Sequence, residues 1–240
     1  MKNKRLLSIG EAAKYLGISA MTLRRWDESG KLKALKSPGG WRYYEREMLE
    51  LFREDLFGVC RAWAGSPVAP NIPNNYYAST QDRFRARLDE MALLISKDSR
   101  LSDIESLLPA IVGEIGNNSF DHNLGNWPDV PGIFFAYDVN KRIIVLADRG
   151  VGIRETLSRV RLLKDDFSAL SVAVTEFVSG RAPENRGNGL KFVMSIAQEY
   201  PIGISLQSGI AIAIIEREKE LLEISMAESN IRGTLAKIEY

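Results

Sequence analysis

Glu114 and Asn118 stand four residues apart in the stretch Glu114-Ile115-Gly116-Asn117-Asn118-Ser119-Phe120-Asp121-His122-Asn123. From near Leu101 onward, Ile104, Leu107, Leu108, Ile111, Val112 and Ile115 recur at helical spacing, which predicts a helix with one apolar face. On that helix Glu114 and Asn118 project side by side. A carboxylate and a carboxamide oxygen presented together suit a hard divalent cation and a water to be polarised. The same pair also suits an ordinary solvated helix face, so the choice rests on the residues downstream.

Two apolar runs, over 132–138 and 142–147, flank an Asn140-Lys141 turn and read as paired strands. The second leads into Asp148-Arg149-Gly150-Val151-Gly152-Ile153. Further on, Asn185-Arg186-Gly187-Asn188-Gly189-Leu190 opens an amphipathic helix through Phe192, Val193, Ile196 and Ala197, and Gly233-Thr234 precedes a last strand. One glycine pair makes only a turn. The ordered set E-x-x-x-N, D-x-G-x-G, G-x-G-L and G-T resembles the N, G1, G2 and G3 boxes of the gyrase/histidine-kinase-like (GHKL) ATP-binding superfamily, over roughly residues 80–240.

The resemblance implies an α/β sandwich, with a mixed, largely antiparallel sheet under a helical layer and later strands over 202–206, 210–216, 221–226 and 233–240. It also implies a site for ATP and Mg2+. Asp148 would accept the adenine amine, while Gly150 and Gly152 let the backbone approach base and ribose without a Cβ clash. Asn118 would coordinate the magnesium. Gly187 and Gly189 would offer backbone N–H groups to the phosphates, with Arg186 and Arg181 in a lid and Thr234 assisting from the terminal strand. Glu114 occupies the position of the general base in ATPase members. Kinase members also carry an acid there, so Glu114 leaves hydrolysis and phosphotransfer both open. His122, the one histidine, either reaches the phosphates or serves local structure. Because it lies inside the nucleotide box, no separate phosphoacceptor helix exists, which excludes a self-contained sensor histidine kinase.

The 240 residues have room for one large domain or a medium and a small one, and 45% hydrophobic with 26% charged content suits a buried core. No run approaches the ~18 apolar residues of a membrane span, and no signal peptide opens the chain. A single cysteine, Cys60, rules out an intramolecular disulfide framework and fits a cytoplasmic setting. The overall charge of +1 is uneven: residues 1–57 hold 12 Lys/Arg against 8 Asp/Glu, a balance of +4, so the remainder carries −3. Such a bias points to nucleic acid only where a reader fold accompanies it.

Residues 1–57 supply one. Ser8-x-x-Glu11 is a capping box, followed by Ile9, Ala12, Ala13 and Leu16 as a buried stripe. Gly17 stops that helix, Ile18 plugs the core and Ser19 caps a second helix over 20–29, with Leu23 and Trp26 inward and Thr22, Arg24 and Arg25 outward before Gly30. Residues 32–36 and 41–44 form a hairpin arm about Pro38-Gly39-Gly40, and a helix over 45–57 buries Met48, Leu49, Leu51 and Phe52. The run resembles the MerR/excisionase-type winged helix-turn-helix over ~5–55, departing from it at Trp41, where related wings carry a histidine. Double-stranded DNA is the partner implied. Arg24 and Arg25 would reach base edges or flanking phosphates, and Lys36, Arg42 and Tyr43 the backbone. Each arginine alone also reads as solvated surface.

Between the units, 58–80 is rich in Pro and Asn and predicts an extended linker, with Trp63, Tyr76 and Tyr77 either docking elsewhere or filling a crevice of their own domain. A helix over 81–96 carries Phe84, Leu88, Met91 and Ile95, a stripe that serves either chain pairing or packing on the sheet. The organisation expected is therefore α+β: a winged domain at 1–57, a linker at 58–80 and an ATP-binding domain at 81–240. Two functions are open: an ATP-responsive DNA-binding regulator, working as a homodimer, or an enzyme on DNA. The enzyme would be a slow ATPase or a serine/threonine kinase with a protein phosphoacceptor.

Overall fold

The computed structural model of the chain describes residues 6–16, 19–28, 32–46, 48–49, 56–123, 127–176 and 189–240. At the amino-terminal end Ser8 closes one element and opens the next. It ends strand β1 (Leu6–Ser8) and caps helix α1 (Ile9–Leu16). The Ser8 N–H and hydroxyl donate to Glu11 Oε2 at 2.8 and 2.7 Å, and the hydroxyl accepts the Glu11 N–H at 3.4 Å. Ser19 Oγ accepts the Thr22 N–H at 3.0 Å and so starts α2 (Ala20–Glu28). Strands β2 (Leu35–Lys36) and β3 (Arg42–Glu45) form the wing, and β1 pairs with the far side of β3 to give the order β1-β3-β2. Leu7, Ala12, Ala13, Leu23, Leu32, Tyr44 and Leu49 are the core, with Trp26 partly buried against it. The expected roles of Gly17, Ile18, Gly30, Leu51 and Phe52 lie outside the described residues.

The second unit is built on seven strands: β4 (Tyr77–Ala78), β5 (Ile133–Asp138), β6 (Ile143–Asp148), β7 (Gly203–Ser208), β8 (Ala211–Ile215), β9 (Leu222–Met226) and β10 (Thr234–Glu239). Their order is β4-β5-β6-β10-β7-β8-β9, and every neighbouring pair is antiparallel. The parallel component of a mixed sheet is thus absent among the described residues. Short turns after β5 and β7 make β5–β6 and β7–β8 hairpins, while β10 and β4 reach their antiparallel partners from distant parts of the chain.

Alternation along the strands assigns each face. Ile133, Phe135, Ile144, Leu146, Ala236 and Ile238 point into the main core. That core is shared with α4 (Gln81–Ile95), α5 (Leu107–Asn123), α6 (Gly152–Leu157), α7 (Asp166–Thr175) and α8 (Gly189–Glu199). Phe84, Met91 and Ile95 of α4 are buried there, so its stripe packs within the domain. Gly116 of α5 leaves the room that the Phe84 ring fills, since a Cβ there would meet ring carbons at 2.1 Å.

The opposite face, through Phe134, Ala136, Val145, Ala147 and Leu235, is covered by α3 (Leu56–Gly65). This corrects the extended linker expected from 58. Val59, Cys60, Trp63 and Ala64 gain more by burial on the sheet than Gly58 and Gly65 lose in helix propensity, each large apolar side chain contributing about 1.5–3 kcal/mol. The burial also raises the Cys60 thiol pKa well above its usual value. Trp63 and Tyr76 both stack on Phe134, with centroids at 6.0 and 5.6 Å, and Tyr77 lies in the edge strand β4. Among the described residues, no helix is long and apolar enough to cross a membrane.

Candidate functional site

In the carboxy-terminal unit the polar positions converge on Asp148, the last residue of β6, whose side chain is 1% exposed. Its Oδ2 accepts hydrogen bonds from the Ser119 hydroxyl of α5, at 2.9 Å, and from the Thr234 hydroxyl at the start of β10. Its Oδ1 accepts the Gly150 N–H at 2.8 Å. Burial pushes the Asp148 carboxyl above the ordinary range, and the donors from Thr234, Gly150 and Ser119 oppose that rise without cancelling it. Hydrogen bonds to a carboxyl buried in this way act in a low dielectric, where each is electrostatically stronger than in water.

The loop after Asp148 is fixed by two further side chains. Asn123 Oδ1 accepts the Val151 N–H at 2.9 Å while its Nδ2 donates to the Ser119 carbonyl at 2.7 Å. A Cβ on Gly150 would stand 2.2 Å from that carboxamide, so the close approach requires glycine. Ser208, ending β7, accepts the Ile153 N–H at 2.9 Å and donates to the Gly233 carbonyl at 3.2 Å. Gly233 has φ +62°, and a Cβ on it would lie 2.1 Å from Asp148 Oδ1 and 2.5 Å from the Asp148 carbonyl.

Glu114 and Asn118 do project together from α5, with Glu114 exposed and Asn118 partly buried. Gly189, the first residue of α8, is the surface they approach: a Cβ there would stand 2.4 Å from Glu114 Oε2 and 3.5 Å from Asn118 Nδ2. Thus Glu114, Asn118, Asp148, Gly150, Gly152, Gly189 and Thr234 gather where α5, α8 and the ends of β6 and β10 meet. Arg186 and Gly187, with Arg181, lie outside the described residues. His122 is partly buried in the last turn of α5. Ser119, Asn123 and Ser208 escape assignment from sequence, whereas Gly233 belongs to the Gly233-Thr234 pair read there. The i, i+4 spacing of Ser119 and Asn123 is their one local signal, whereas Ser208 has none. Among the described residues no group of three or more His, Cys, Asp or Glu side chains is placed to hold a metal.

The amino-terminal unit presents a second constellation. Arg24 and Arg25 are exposed on α2, and Trp41 at the wing is 71% exposed. Thr22 has its hydroxyl 2.9 Å from that of Ser19. Arg42 and Lys36 face inward as well as outward, since Asp27 Oδ2 takes Arg42 Nε at 2.7 Å and Lys36 Nζ at 3.3 Å. Asp27 Oδ1 accepts the Ala34 N–H at 3.1 Å, and Lys33 Nζ donates to the Asp27 carbonyl at 2.9 Å. Burial pushes the Asp27 carboxyl up, but the bonds from Arg42, Ala34 and Lys36 outweigh it and hold the group below its ordinary range. Asp27 therefore ties the wing to the end of α2. Tyr43 is half-buried in β3, opposite Leu35 and Ser8.

Residues 6–55 match the family described as helix-turn-helix domain. The chain is also similar to the Type II methyltransferase M.Eco47II of Escherichia coli, 37% identical over 75 residues. That stretch is 31% of this chain and spans 17% of the methyltransferase.

Proposed function

We propose that this chain is a DNA-binding regulator whose carboxy-terminal unit binds ATP with magnesium and thereby adjusts DNA binding or assembly. The helix-turn-helix domain at 6–55 implies the DNA-binding half. The nucleotide half rests on one observation: a buried, triply hydrogen-bonded Asp148 is bonded to Ser119 of α5, the helix whose Glu114 and Asn118 lie against the first residue of α8.

The residues present fit the group. Asp148 would accept the exocyclic amine of adenine and refuse the keto oxygen of guanine. Gly152, at φ +80°, packs its backbone against Ser208 and Gly233, where a Cβ would stand 3.2 Å from the Ser208 hydroxyl, and so holds the loop after Asp148 close to the end of β7. The α8 N-terminus, bare of side chain at Gly189, would offer N–H groups and its dipole to phosphate oxygens. Asn118 would hold magnesium through one carboxamide oxygen, the phosphates and water completing its shell. When bound, the metal supplies neutralisation of phosphate charge. Calorimetry with ATP, with and without magnesium, tests this: adenine-selective, magnesium-dependent binding is expected, and indifference between ATP and GTP would reject it.

A second reading has its own support in Glu114. This exposed carboxylate beside Asn118 and Gly189 is placed to take a proton from water or from a partner's hydroxyl, the arrangement of a slow ATPase or a serine/threonine kinase. Phosphate release measured beside label transfer to copurifying proteins separates the two. The similarity to a type II methyltransferase covers too little of that protein to carry methyl transfer. Half-site reading by winged domains favours a homodimer.

A further inference from the structure

Asp148 and Arg149 are adjacent in sequence and face opposite sides of the sheet. Asp148 continues the register of Ile144 and Leu146 toward the helical layer, whereas Arg149 continues that of Val145 and Ala147 toward α3. The Arg149 side chain is 0% exposed. Its Nε donates to Asp129 Oδ2 at 2.7 Å, and one terminal nitrogen reaches Asp129 Oδ2 at 2.5 Å and the Pro67 carbonyl at 3.4 Å. The other donates to the Trp63 carbonyl and, at 3.4 Å, to the Ala64 carbonyl. The guanidinium carbon also lies 5.8 Å from the Trp63 ring centroid. The guanidinium donors thus engage Asp129 and three backbone carbonyls at or just beyond the end of α3. Such carbonyls lack helical partners and carry the negative end of the helix dipole.

A second path joins the same two places. Thr234 bonds Asp148, and two residues earlier the Arg232 N–H donates to the Ala64 carbonyl at 3.4 Å while its guanidinium lies 3.8 Å from Asp129 Oδ2. The segments on both sides of the Asp148 carboxylate therefore hold the end of α3, the helix through which the chain arrives from the DNA-binding unit.

We propose that Arg149 is the coupling residue of this protein, transmitting occupancy of the Asp148 site to helix α3 and thus to the helix-turn-helix domain. The proposal rests on the ATP reading above. A ligand that draws on Asp148 or shifts the 148–152 backbone moves the guanidinium with it, because each of the Arg149 side-chain nitrogens is already bonded. The movement is delivered to Trp63, Ala64 and Pro67. Arg149 touches no ligand, so its role is positioning.

The experiment is hydrogen exchange on the full chain, with and without ATP and magnesium, for wild type and Arg149→Lys, alongside calorimetric affinity. In wild type, ATP is expected to change exchange across 56–67 by about fivefold, the low end of ordinary coupling energies. In Arg149→Lys the affinity should stay within about threefold while the 56–67 response is lost. Where Arg149→Lys fails to fold, Asp129→Asn carries the same comparison, since it removes one charge from the cluster and leaves an acceptor. Binding of ATP without any response at 56–67, or an equal response in the variant, overturns the coupling alone. No binding of ATP overturns both the nucleotide reading and the coupling built on it.

Discussion

Asp27 and Arg42, fifteen residues apart, join the last turn of α2 to the first residue of β3 in the wing through a 2.7 Å hydrogen bond. The wing is therefore oriented by the same helix that carries Arg24 and Arg25. Helix α2 and the wing are held to one another because a buried carboxylate is bonded from both.

That arrangement sets an acid sensitivity. Since the Asp27 carboxyl is held below its ordinary value of 3.8, its contribution to stability is present above that value and is lost as pH falls through the native one. Arg42→Ala should destabilise the fold at pH 7, but only in part, because Ala34 and Lys36 still serve the carboxylate, and the cost should shrink at a pH well below 3.8. Urea unfolding of wild type and variant at both pH values checks it. An equal loss at both would reject the wing anchor.

On DNA the same geometry separates the cations. Arg24→Ala or Arg25→Ala should weaken specific sites by roughly 1–3 kcal/mol for whichever makes a bidentate base contact. Lys36→Ala should weaken all sequences alike and flatten the salt dependence by less than a fully solvated lysine would, because Asp27 already holds part of its charge. Titrations against selected and random duplexes over a range of salt distinguish these outcomes.

For Asp148 the sign is the reverse of that for Asp27. A carboxyl whose native pKa lies above 3.8 contributes stability below that value and loses it as pH rises through the native one. Asp148→Asn is thus expected to melt at or above wild type at pH 7, with the difference vanishing near pH 3, while abolishing the preference for ATP over GTP. Asn118→Ala should leave melting unchanged and remove the magnesium dependence of ATP binding. A variant Asp148→Asn that melts well below wild type at pH 7 would contradict the burial penalty.

Two glycines divide packing from chemistry. Gly233→Ala forces a Cβ against the Asp148 carbonyl and the Gly150 nitrogen at 2.5 and 2.7 Å and strains a φ of +62°, which should cost about 2–4 kcal/mol. Gly189→Ala crowds the end of the exposed Glu114 side chain, which can swing aside, and stands in ordinary contact with Asn118. It should fold normally and bind ATP more weakly. Thermal melts beside nucleotide titrations separate the two, and a folded, fully binding Gly189→Ala would remove α8 from the site.

How much of the fold and the candidate site was legible in the residues varies with the range of the contacts involved. Glu114 with Asn118, the strands around Asn140-Lys141 and the Ser8–Glu11 cap are read from spacings of a few residues, and all appear in place. The opposed faces of Asp148 and Arg149 were readable in principle from strand alternation, but what Arg149 would meet was not, since Trp63 lies 86 residues away. Composition misled at 58–65, because the Pro and Asn residues that argued for an extended linker all lie beyond Gly65. Burial of Val59, Cys60 and Trp63 against Phe134 and Val145 decided for helix. Asp27 reads as a solvated residue at the end of a helix until the wing folds back upon it.

Strand β10 lies at the centre of the seven-stranded sheet, hydrogen-bonded to β6 on one side and β7 on the other. Among the described residues it is also the last of ten strands in chain order. During synthesis the hairpins β5–β6 and β7–β8 emerge with a gap between them, each showing an unpaired edge, and only Thr234–Glu239 can fill it. Closure is consequently a late, long-range event of the slow kind, and a chain stopped before β10 would carry two sticky half-sheets. Because Thr234 arrives with that strand, the hydrogen bonds around Asp148 are completed only when the sheet itself closes.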